Sequence, residues 1–339
     1  MKLRDRPHPD PLSLLVKVWP PMLATLSDEE SVDPAKHVFE VKYDGFRALA
    51  GISNGKVTLQ SRNGLDLSTR FPAVFRSLRK LAVSEAVLDG KIVALDEHGI
   101  ASFQKLQNES SATKYFVFDL LWLDGEDLRA RPLEERRDLL ESVLANVADL
   151  PIALAERVSG GVHQILEAVH DRGGEGLIAK RKGSRYTGRR GREWLKVKVV
   201  RGQELAILGF TPISSGESMI GALHVGYREG GDWKWAGKVG TGYSDELRGA
   251  LFRTLSRTKV AQSVASNAPR TRDTVWVRPT LVAQVAFTEW TDDGRLRHPV
   301  FHGLRADKSP DEVIRERPST GSARAPRNHR AARAAKRRH

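Results

Sequence analysis

Short apolar runs of strand length, separated by glycine-containing turns, dominate the first 200 residues of this chain. They lie at residues 38–42, 46–52, 56–61, 86–95, 115–123, 176–180 and 194–200. Asp44-Gly45 and Asn54-Gly55 stand between the first three runs, in a pattern typical of hairpin turns. Amphipathic helical periodicity appears at residues 132–147 and 161–172. The pattern predicts an α+β fold of antiparallel sheets with interspersed helices.

The pattern of strand-like and helical runs changes after residue 200. Short strand-like runs follow at residues 203–210, 221–227, 232–239 and 281–290, and one helical run lies at 244–257. A five-stranded oligonucleotide-binding (OB) barrel with an inserted helix fits this count, although other small barrels share the pattern. We therefore expect a first domain over residues 1–200, an OB-fold domain over 201–315 and a tail over 316–339. The tail has too little apolar content to fold alone, so we expect it to be disordered.

The charge of the chain is strongly basic, with 55 Lys and Arg residues against 42 Asp and Glu residues, a net charge of +13. Residues 321–339 hold seven of the basic residues and no acidic one, which leaves about +6 for the rest of the chain. A basic excess favours polyanionic partners. In the tail, it predicts salt-sensitive DNA affinity that does not depend on sequence.

The composition also excludes several classes of protein. The chain has no cysteine, so disulfides, thiol catalysis and cysteine-ligated zinc or iron–sulfur sites are impossible. No apolar run approaches the ~20 residues of a membrane helix, and the basic N-terminus lacks the apolar core of a secretory signal. These features predict a cytoplasmic protein with no membrane association.

The segment Lys42-Tyr43-Asp44-Gly45-Phe46-Arg47 is the sharpest chemical signal. A lysine at the end of an apolar strand is partly withdrawn from water, which favours the neutral amine that attacks electrophiles. Arg47 can bridge phosphate or ribose oxygens. The same residues are also typical of a lysine on an edge strand that precedes a common hairpin turn.

Three other segments carry groups suited to phosphate chemistry. Glu175 precedes a buried strand, where a carboxylate can hold a divalent cation. Lys196 and Lys198 alternate on a strand and so point to one face, where they can neutralise a phosphate. Arg62 follows a strand in the segment SRNG. Taken singly, each segment also fits a plain loop, a solvated strand face or a turn.

In chain order, these segments resemble the motifs of the covalent nucleotidyltransferase superfamily. The set is KYDGFR, SRNG, VLDGKIV, FDLLWLDG, EGLIAKR and WLKVK. It is most similar to the ATP-dependent DNA ligases, and within them to the ligase module of bacterial end-joining (multifunctional) DNA ligases. Residues 287–308 resemble the end of that family's barrel domain, and the whole resemblance spans residues 20–315. It implies an adenylation (nucleotidyltransferase) domain followed by an OB-fold barrel, with ATP and Mg²⁺ or Mn²⁺ as cofactors.

The resemblance implies an activity and assigns roles to individual residues. Lys42 would be the catalytic nucleophile, and nicks or breaks in duplex DNA would be sealed through lysyl-AMP, DNA adenylate and phosphodiester formation. Glu175 would be the metal-associated carboxylate. The residues that would bind the nucleotide are Glu40, Phe118 and Ile178 around adenine, Arg47, Arg62 and Arg192 as arginine contacts, and Lys196 and Lys198 near the α-phosphate. Barrel residues that would approach the leaving pyrophosphate are Arg297, Arg305 and Lys308.

One position departs from the family pattern. The chain reads Leu88-Asp89-Gly90-Lys91, where the family usually has a glutamate at the last place. An ammonium group at a site that concentrates cations should weaken metal binding, so we expect Lys91→Glu to raise adenylation. A weakened enzyme, an engineered change and a direct contact of Lys91 with phosphate all fit this substitution. Gln284 is a lesser departure, at a place where an acidic residue is common.

Two alternative functions fit part of these observations. An RNA ligase or an mRNA capping guanylyltransferase would share the KxDG motif and the lysyl-nucleotide step. A nucleic-acid-binding homologue that has lost catalysis would accommodate Lys91 and the basic tail. The resemblance instead favours a monomeric bacterial DNA ligase in the cytoplasm, associated with the nucleoid. Its partners would be nicked or broken duplex DNA, a DNA end-binding protein and separate polymerase or nuclease chains.

Overall fold

The structure is a computed structural model that describes residues 15, 19–95, 105–107, 112–171, 174–199, 202–213 and 218–317. Of the predicted tail, only Glu316 and Arg317 fall inside these ranges, and the prediction of disorder for the rest lies outside the described residues. Within the described part of the chain, no helix is both long and apolar enough to span a bilayer.

The strands of the first 200 residues form two sheets. In chain order they are β1 (Leu23–Leu26), β2 (His37–Val41), β3 (Phe46–Ser53), β4 (Lys56–Ser61), β5 (Glu85–Ala94), β6 (Thr113–Leu123), β7 (Glu126–Asp127), β8 (Ile152–Leu154), β9 (Arg157–Val158), β10 (Gly176–Arg181) and β11 (Arg190–Lys198). The first sheet has the order β1-β11-β10-β2-β9, and the second has the order β4-β3-β5-β6-β7 with β8 beside β6. Among the described strands of these two sheets, only β1 with β11 and β6 with β8 pair in parallel, so the predicted antiparallel character is confirmed for the other pairs.

The predicted helices are present, each slightly shorter than its sequence pattern. In the described part of the chain, α1 (Pro72–Leu78) was not predicted, and it is followed by the three predicted helices, α2 (Leu133–Val143), α3 (Val162–Asp171) and α4 (Asp245–Leu255). At the start of α4, the Ser244 hydroxyl accepts a hydrogen bond from the Leu247 N–H (3.3 Å), which satisfies one of the free donors of the first turn. Sequence periodicity missed α1 because its seven residues make only two turns.

The link between β2 and β3 differs from the sequence expectation. Asn54-Gly55 does form the hairpin of β3 and β4, with both residues at positive φ. The hairpin expectation for Asp44-Gly45 is wrong, because this turn carries the chain from the first sheet to the second. A Cβ on Gly45 would overlap the Ile92 carbonyl oxygen, so only glycine lets the link lie this close to β5.

A third sheet begins at residue 202. Its strands, with a two-stranded hairpin beside them, are β12 (Gly202–Pro212), β13 (Ile220–Glu229), β14 (Asp232–Val239), β15 (Val275–Trp276), β16 (Val282–Ala286), β17 (Glu289–Trp290), β18 (Leu296–Arg297) and β19 (Val300–Leu304). The order is β14-β13-β12-β16-β19, with β15 on β12 and with β17 and β18 paired separately. A bridge between Thr241, two residues after β14, and Val300, at the start of β19, connects the two edges of the sheet and closes it around its own apolar core. The expected single strand at 281–290 is two strands, β16 and β17.

Candidate active site

Lys42 lies directly after β2, which runs between β9 and β10 in the first sheet. It is therefore not an edge-strand lysine, and that alternative interpretation is wrong. The Lys42 N–H donates to the Gly176 carbonyl oxygen (2.9 Å), which places the lysine beside the start of β10. Its ammonium group forms an ion pair with the Glu175 carboxylate, and the two side chains are only 11% and 18% exposed. The structure thus brings the predicted nucleophile and the predicted metal-associated carboxylate into contact.

Lys91 lies in the same pocket, on β5. Its ammonium donates to the Tyr43 carbonyl oxygen (2.5 Å), next to the predicted nucleophile. Burial, together with the positive charge of Lys42, lowers the pKa of Lys91 to about 7. Burial by itself would raise the pKa of Glu175, but Lys42 and Lys91 lower it to about 2. The pocket therefore holds Glu175 as an anion between two amines.

A row of predicted nucleotide-binding residues crosses the first sheet. Ile178 on β10 is in register with Glu40 on β2 and with Lys196 on β11, so the three side chains share one face. Glu40 is almost fully buried, and one of its oxygens lies 2.8 Å from the Lys180 ammonium. A buried carboxylate needs such a partner. Sequence reasoning did not single out Lys180, although it belongs to the EGLIAKR segment.

Phe118 and Arg47 lie together on the second sheet. The Arg47 guanidinium is 5.4 Å from the centre of the Phe118 ring. It also makes two hydrogen bonds to Asp89 (2.9 and 2.5 Å) and one to the Met22 carbonyl oxygen (2.5 Å). Tyr186 donates a further hydrogen bond to Asp89 (2.7 Å). Asp89 and Tyr186 therefore fix Arg47, and neither received a role from the sequence because their contacts join distant segments.

The two lysines of β11 face the C-terminal end of the described chain. Lys196 and Lys198 both form ion pairs with the Glu316 carboxylate, at 2.9 Å for Lys198. Arg62 forms an ion pair with Glu312. These three cations thus meet carboxylates that follow the third sheet in the chain. Arg192 lies on the same strand as the two lysines and is exposed.

The barrel contributes two of its three predicted cations to this region. Arg305 is buried, binds Asp307 through two hydrogen bonds of 2.8 Å, and lies 4.0 Å from Asp44. Lys308 forms an ion pair with Glu204, a residue that sequence reasoning missed. Arg297 instead lies on the β17–β18 hairpin, 57% exposed and paired with Glu289 (2.7 Å), outside the cluster around Lys42.

The donor set fits a hard divalent cation only in part. Among the described residues, no three His, Asp or Glu side chains gather closely enough to hold a metal ion by themselves. Glu175 and Asp44 are close enough that the Glu175 charge, added to the effect of burial, raises the pKa of Asp44. One or two carboxylates are what Mg²⁺ uses when substrate phosphates supply its other ligands. The pocket therefore fits a metal ion that arrives with a nucleotide.

Comparison with known proteins identifies the family. The profile of the ATP dependent DNA ligase domain matches residues 21–198, and that of the ATP dependent DNA ligase C terminal region matches residues 216–308. The multifunctional non-homologous end joining DNA repair protein LigD of Mycobacterium tuberculosis is 38% identical over 303 residues, which is 87% of this chain and 40% of that protein. Its counterpart from Pseudomonas aeruginosa is 36% identical over 310 residues, covering 88% of this chain and 37% of that protein.

A solved structure supports the same assignment. Mycobacterial DNA ligase D complexed with ATP and MES is 36% identical, with a TM-score of 0.65, and the match covers 88% of this chain and 99% of that one. This similarity confirms the predicted combination of a nucleotidyltransferase domain and an OB-fold barrel, and it does not favour the alternative functions. The chain spans about two fifths of the length of the curated relatives it matches. Together, the ordered motifs, the two matching profiles and the shared fold show that the chain belongs to the ATP-dependent DNA ligase family.

Proposed function

We propose that this chain seals breaks in duplex DNA and that Lys42 carries the adenylate. The observation behind this proposal is the contact between Lys42 and Glu175 in a pocket ringed by cations, with Lys198 from the first sheet, Lys91 from the second and Arg305 from the barrel. Such a ring can neutralise a triphosphate and hold it in line with one amine. A protein that only binds nucleic acid has no use for a buried amine at the centre of that ring.

In the first step, the neutral Nζ of Lys42 attacks the α-phosphorus of ATP. A nitrogen–phosphorus bond forms, the bond from the α-phosphorus to the bridging oxygen breaks, and pyrophosphate leaves. The amine that attacks carries no proton beyond its two N–H groups, and the new phosphoramidate nitrogen gives up one of these, which leaves with water or with pyrophosphate. Release of the contact between Lys42 and Glu175 would free Nζ for this attack.

The remaining nucleotide contacts are proposals for the same step. Lys196 and Lys198 would neutralise the α-phosphate, and the face that they share with Ile178 and Glu40 supports a nucleotide laid along the first sheet. Phe118 would stack on adenine. Arg47, Arg62 and Arg192 would contact ATP, with Arg62 shared with the 5′-phosphate of the DNA. A metal ion bound with ATP would be held by Glu175 and Asp44 and would supply charge neutralisation at the phosphate oxygens.

The adenylate would then pass to a DNA 5′-phosphate, and the neighbouring 3′-hydroxyl would displace AMP. Arg305 and Lys308 lie where the barrel meets the Lys42 pocket, which supports a role near the leaving pyrophosphate. The names of the relatives support double-strand breaks as the substrate, with end joining as the process. Because those relatives are much longer, we expect polymerase or nuclease activities and a DNA end-binding protein to join this ligase in the cell.

The test is covalent labelling with ATP. Wild-type protein incubated with Mg²⁺ should retain label from the α-phosphate and none from the γ-phosphate, in an acid-labile bond typical of a phosphoramidate. Lys42→Ala should lose the label by more than about 1,000-fold, because the nucleophile itself is gone. Lys56→Ala, on the exposed start of β4, is the matched control and should label normally. Labelling of Lys42→Ala at the wild-type level would contradict the proposal.

A further inference from the structure

Residues 310–317 bring two carboxylates to the cations that are proposed to bind ATP phosphates. Glu316 bridges the two lysines of β11, with Lys196 on one oxygen and Lys198 on the other. A phosphate group would use the same two ammonium groups in the same bridging manner. The three side chains are between 9% and 18% exposed, so these contacts are largely shielded from solvent.

Glu312 makes the second contact, with Arg62 on the second sheet. Beside it, the Asn63 side-chain amide donates to the Asp307 carbonyl oxygen (3.0 Å). Arg62 and Asn63 of the SRNG segment therefore both contact the C-terminal residues. Three of the cations proposed for ATP are occupied by two carboxylates from one short stretch of chain.

The stretch is fixed to the barrel and not to the sheet that carries the lysines. Val313 is buried in the barrel core, and its carbonyl oxygen accepts a hydrogen bond from the Arg228 N–H (2.7 Å). The Gln203 side chain accepts from the Glu316 N–H (3.1 Å) and donates to the Ile314 carbonyl oxygen (3.2 Å). The carboxylates therefore reach the lysines and Arg62 only when the barrel lies against the two sheets.

We propose that residues 310–317 act as a built-in competitor of ATP, in which Glu316 and Glu312 occupy the phosphate-binding cations until the nucleotide displaces them. The inference rests on the proposed function of Lys196, Lys198 and Arg62. A phosphate that bridges Lys196 and Lys198 needs the place that the Glu316 carboxylate holds between them, and the two anions repel each other. ATP binding is therefore coupled to release of the Glu316 and Glu312 contacts, while the barrel can keep Arg305 and Lys308 at the Lys42 pocket.

The charge state of Glu316 agrees with this arrangement. Burial would raise the pKa of its carboxyl group, but Lys196 and Lys198 lower it to about 2. Glu316 is therefore ionised at neutral pH. ATP carries several negative charges against the single charge of this carboxylate, so it can displace Glu316 at a finite concentration.

The test measures binding of α,β-methylene ATP, which cannot adenylate the lysine, by calorimetry in the presence of Mg²⁺. Glu316→Gln keeps the size of the side chain and removes its charge, so the analogue should bind about three- to tenfold more tightly. The double variant Glu312→Gln/Glu316→Gln should bind more tightly still. Asp311→Asn is the matched control: it removes a charge from the same stretch, but Asp311 pairs with Arg228 instead, and the affinity should not change.

The outcomes separate this inference from the proposed function. If the wild type binds the analogue and forms lysyl-AMP, while Glu316→Gln binds no more tightly or more weakly, the competitor role is overturned and the ligase assignment stands. If neither protein binds the analogue, the proposed nucleotide site itself fails. Should Glu316→Gln unfold, the more exposed Glu312→Gln variant serves the same test, with tighter binding expected and unchanged binding overturning the inference.

Discussion

The ion pair of Arg136 with Asp119 is fully buried and that of Lys42 with Glu175 is only partly buried, and their surroundings differ as well. Arg136 makes two hydrogen bonds to Asp119 (2.7 and 3.0 Å) and two more to backbone carbonyl oxygens of Arg131 and Ser184 (2.7 and 3.0 Å). Both side chains are at most 1% exposed. This pair is closed, with its hydrogen-bonding capacity met by the surrounding chain.

The Lys42 cluster is open by comparison. The side chains of Lys42, Glu175 and Asp44 retain 11% to 19% exposure, and one neighbour, Arg305, comes from the barrel. Lys91 adds a second amine whose pKa falls to about 7 through burial and the charge of Lys42. A closed pair stabilises one fold, whereas an open cluster with exchangeable partners can accept phosphates and release them. The following variants test whether this division between stability and chemistry holds.

Arg136→Met should have the largest effect, on stability. Methionine fills similar space but leaves the Asp119 carboxylate buried without its partner, so the free energy of unfolding should fall by about 3–5 kcal/mol. Urea unfolding, followed by tryptophan fluorescence, measures this free energy. Arg131→Met is the matched control, because Arg131 is 38% exposed in its pair with Glu126 and should cost less than about 1 kcal/mol. If both variants lost the same free energy of unfolding, the buried pair of Arg136 would matter no more for stability than the exposed pair of Arg131.

Glu175→Gln should act on chemistry instead. The amide keeps the shape of the side chain but removes the carboxylate that is proposed to hold a metal ion bound with ATP, so the rate of lysyl-AMP formation should fall about 100-fold. The free energy of unfolding should change by about 1 kcal/mol or less, because the cluster keeps access to water. The control Glu141→Gln alters a half-exposed carboxylate on α2 and should leave both quantities near wild type. A large loss of stability with normal labelling would make Glu175 a structural residue.

Lys91→Glu should raise the rate of lysyl-AMP formation about tenfold at saturating Mg²⁺, because it replaces an amine with a carboxylate beside Asp44 and Glu175. Lys91→Met separates the two parts of that change. It removes the amine and its hydrogen bond to Tyr43 without adding a metal ligand, so its rate of lysyl-AMP formation should stay below that of Lys91→Glu. A rate for Lys91→Glu equal to or below wild type would show that the amine itself serves the reaction.

Local patterns predicted the features that depend on neighbours in sequence. The Asn54-Gly55 hairpin and the Ser244 start of α4 are set by a few adjacent residues, and the alternation of Lys196 and Lys198 placed both on one carboxylate. Asp44-Gly45 has the same residue pattern as a hairpin turn. The direction of the chain there depends instead on how Gly45 packs on β5, which is distant in sequence. Glu316 and Lys196 are 120 residues apart in the sequence, so no local sequence pattern could predict their contact.

The last prediction extends the comparison to a closed polar cluster in the barrel. His224 is fully buried, and its Nδ1 accepts a hydrogen bond from the Trp235 indole N–H (3.2 Å). The ring proton therefore lies on Nε2, which faces the Thr211 hydroxyl oxygen (3.1 Å). Burial, reinforced by the positive charge of Lys238, lowers the pKa of His224 to about 4. The unfolded chain binds more protons than the folded chain between this value and about 6.5.

Stability should therefore decrease as the pH falls through that window, by up to about 1.4 kcal/mol per pH unit from this one group. Urea unfolding at pH 6.5, 5.5 and 4.5 gives the slope. Carboxylates titrate in the same range, so the informative quantity is the difference between variants: His224→Gln should lose less stability per pH unit than wild type. His163→Gln, which changes a histidine with a 71% exposed side chain, should keep the wild-type slope. Parallel slopes for wild type and His224→Gln would mean that the folded protein protonates His224 as readily as the unfolded chain does. Protonation breaks the hydrogen bond from Trp235 to Nδ1, so the cluster would then be open like the one around Lys42.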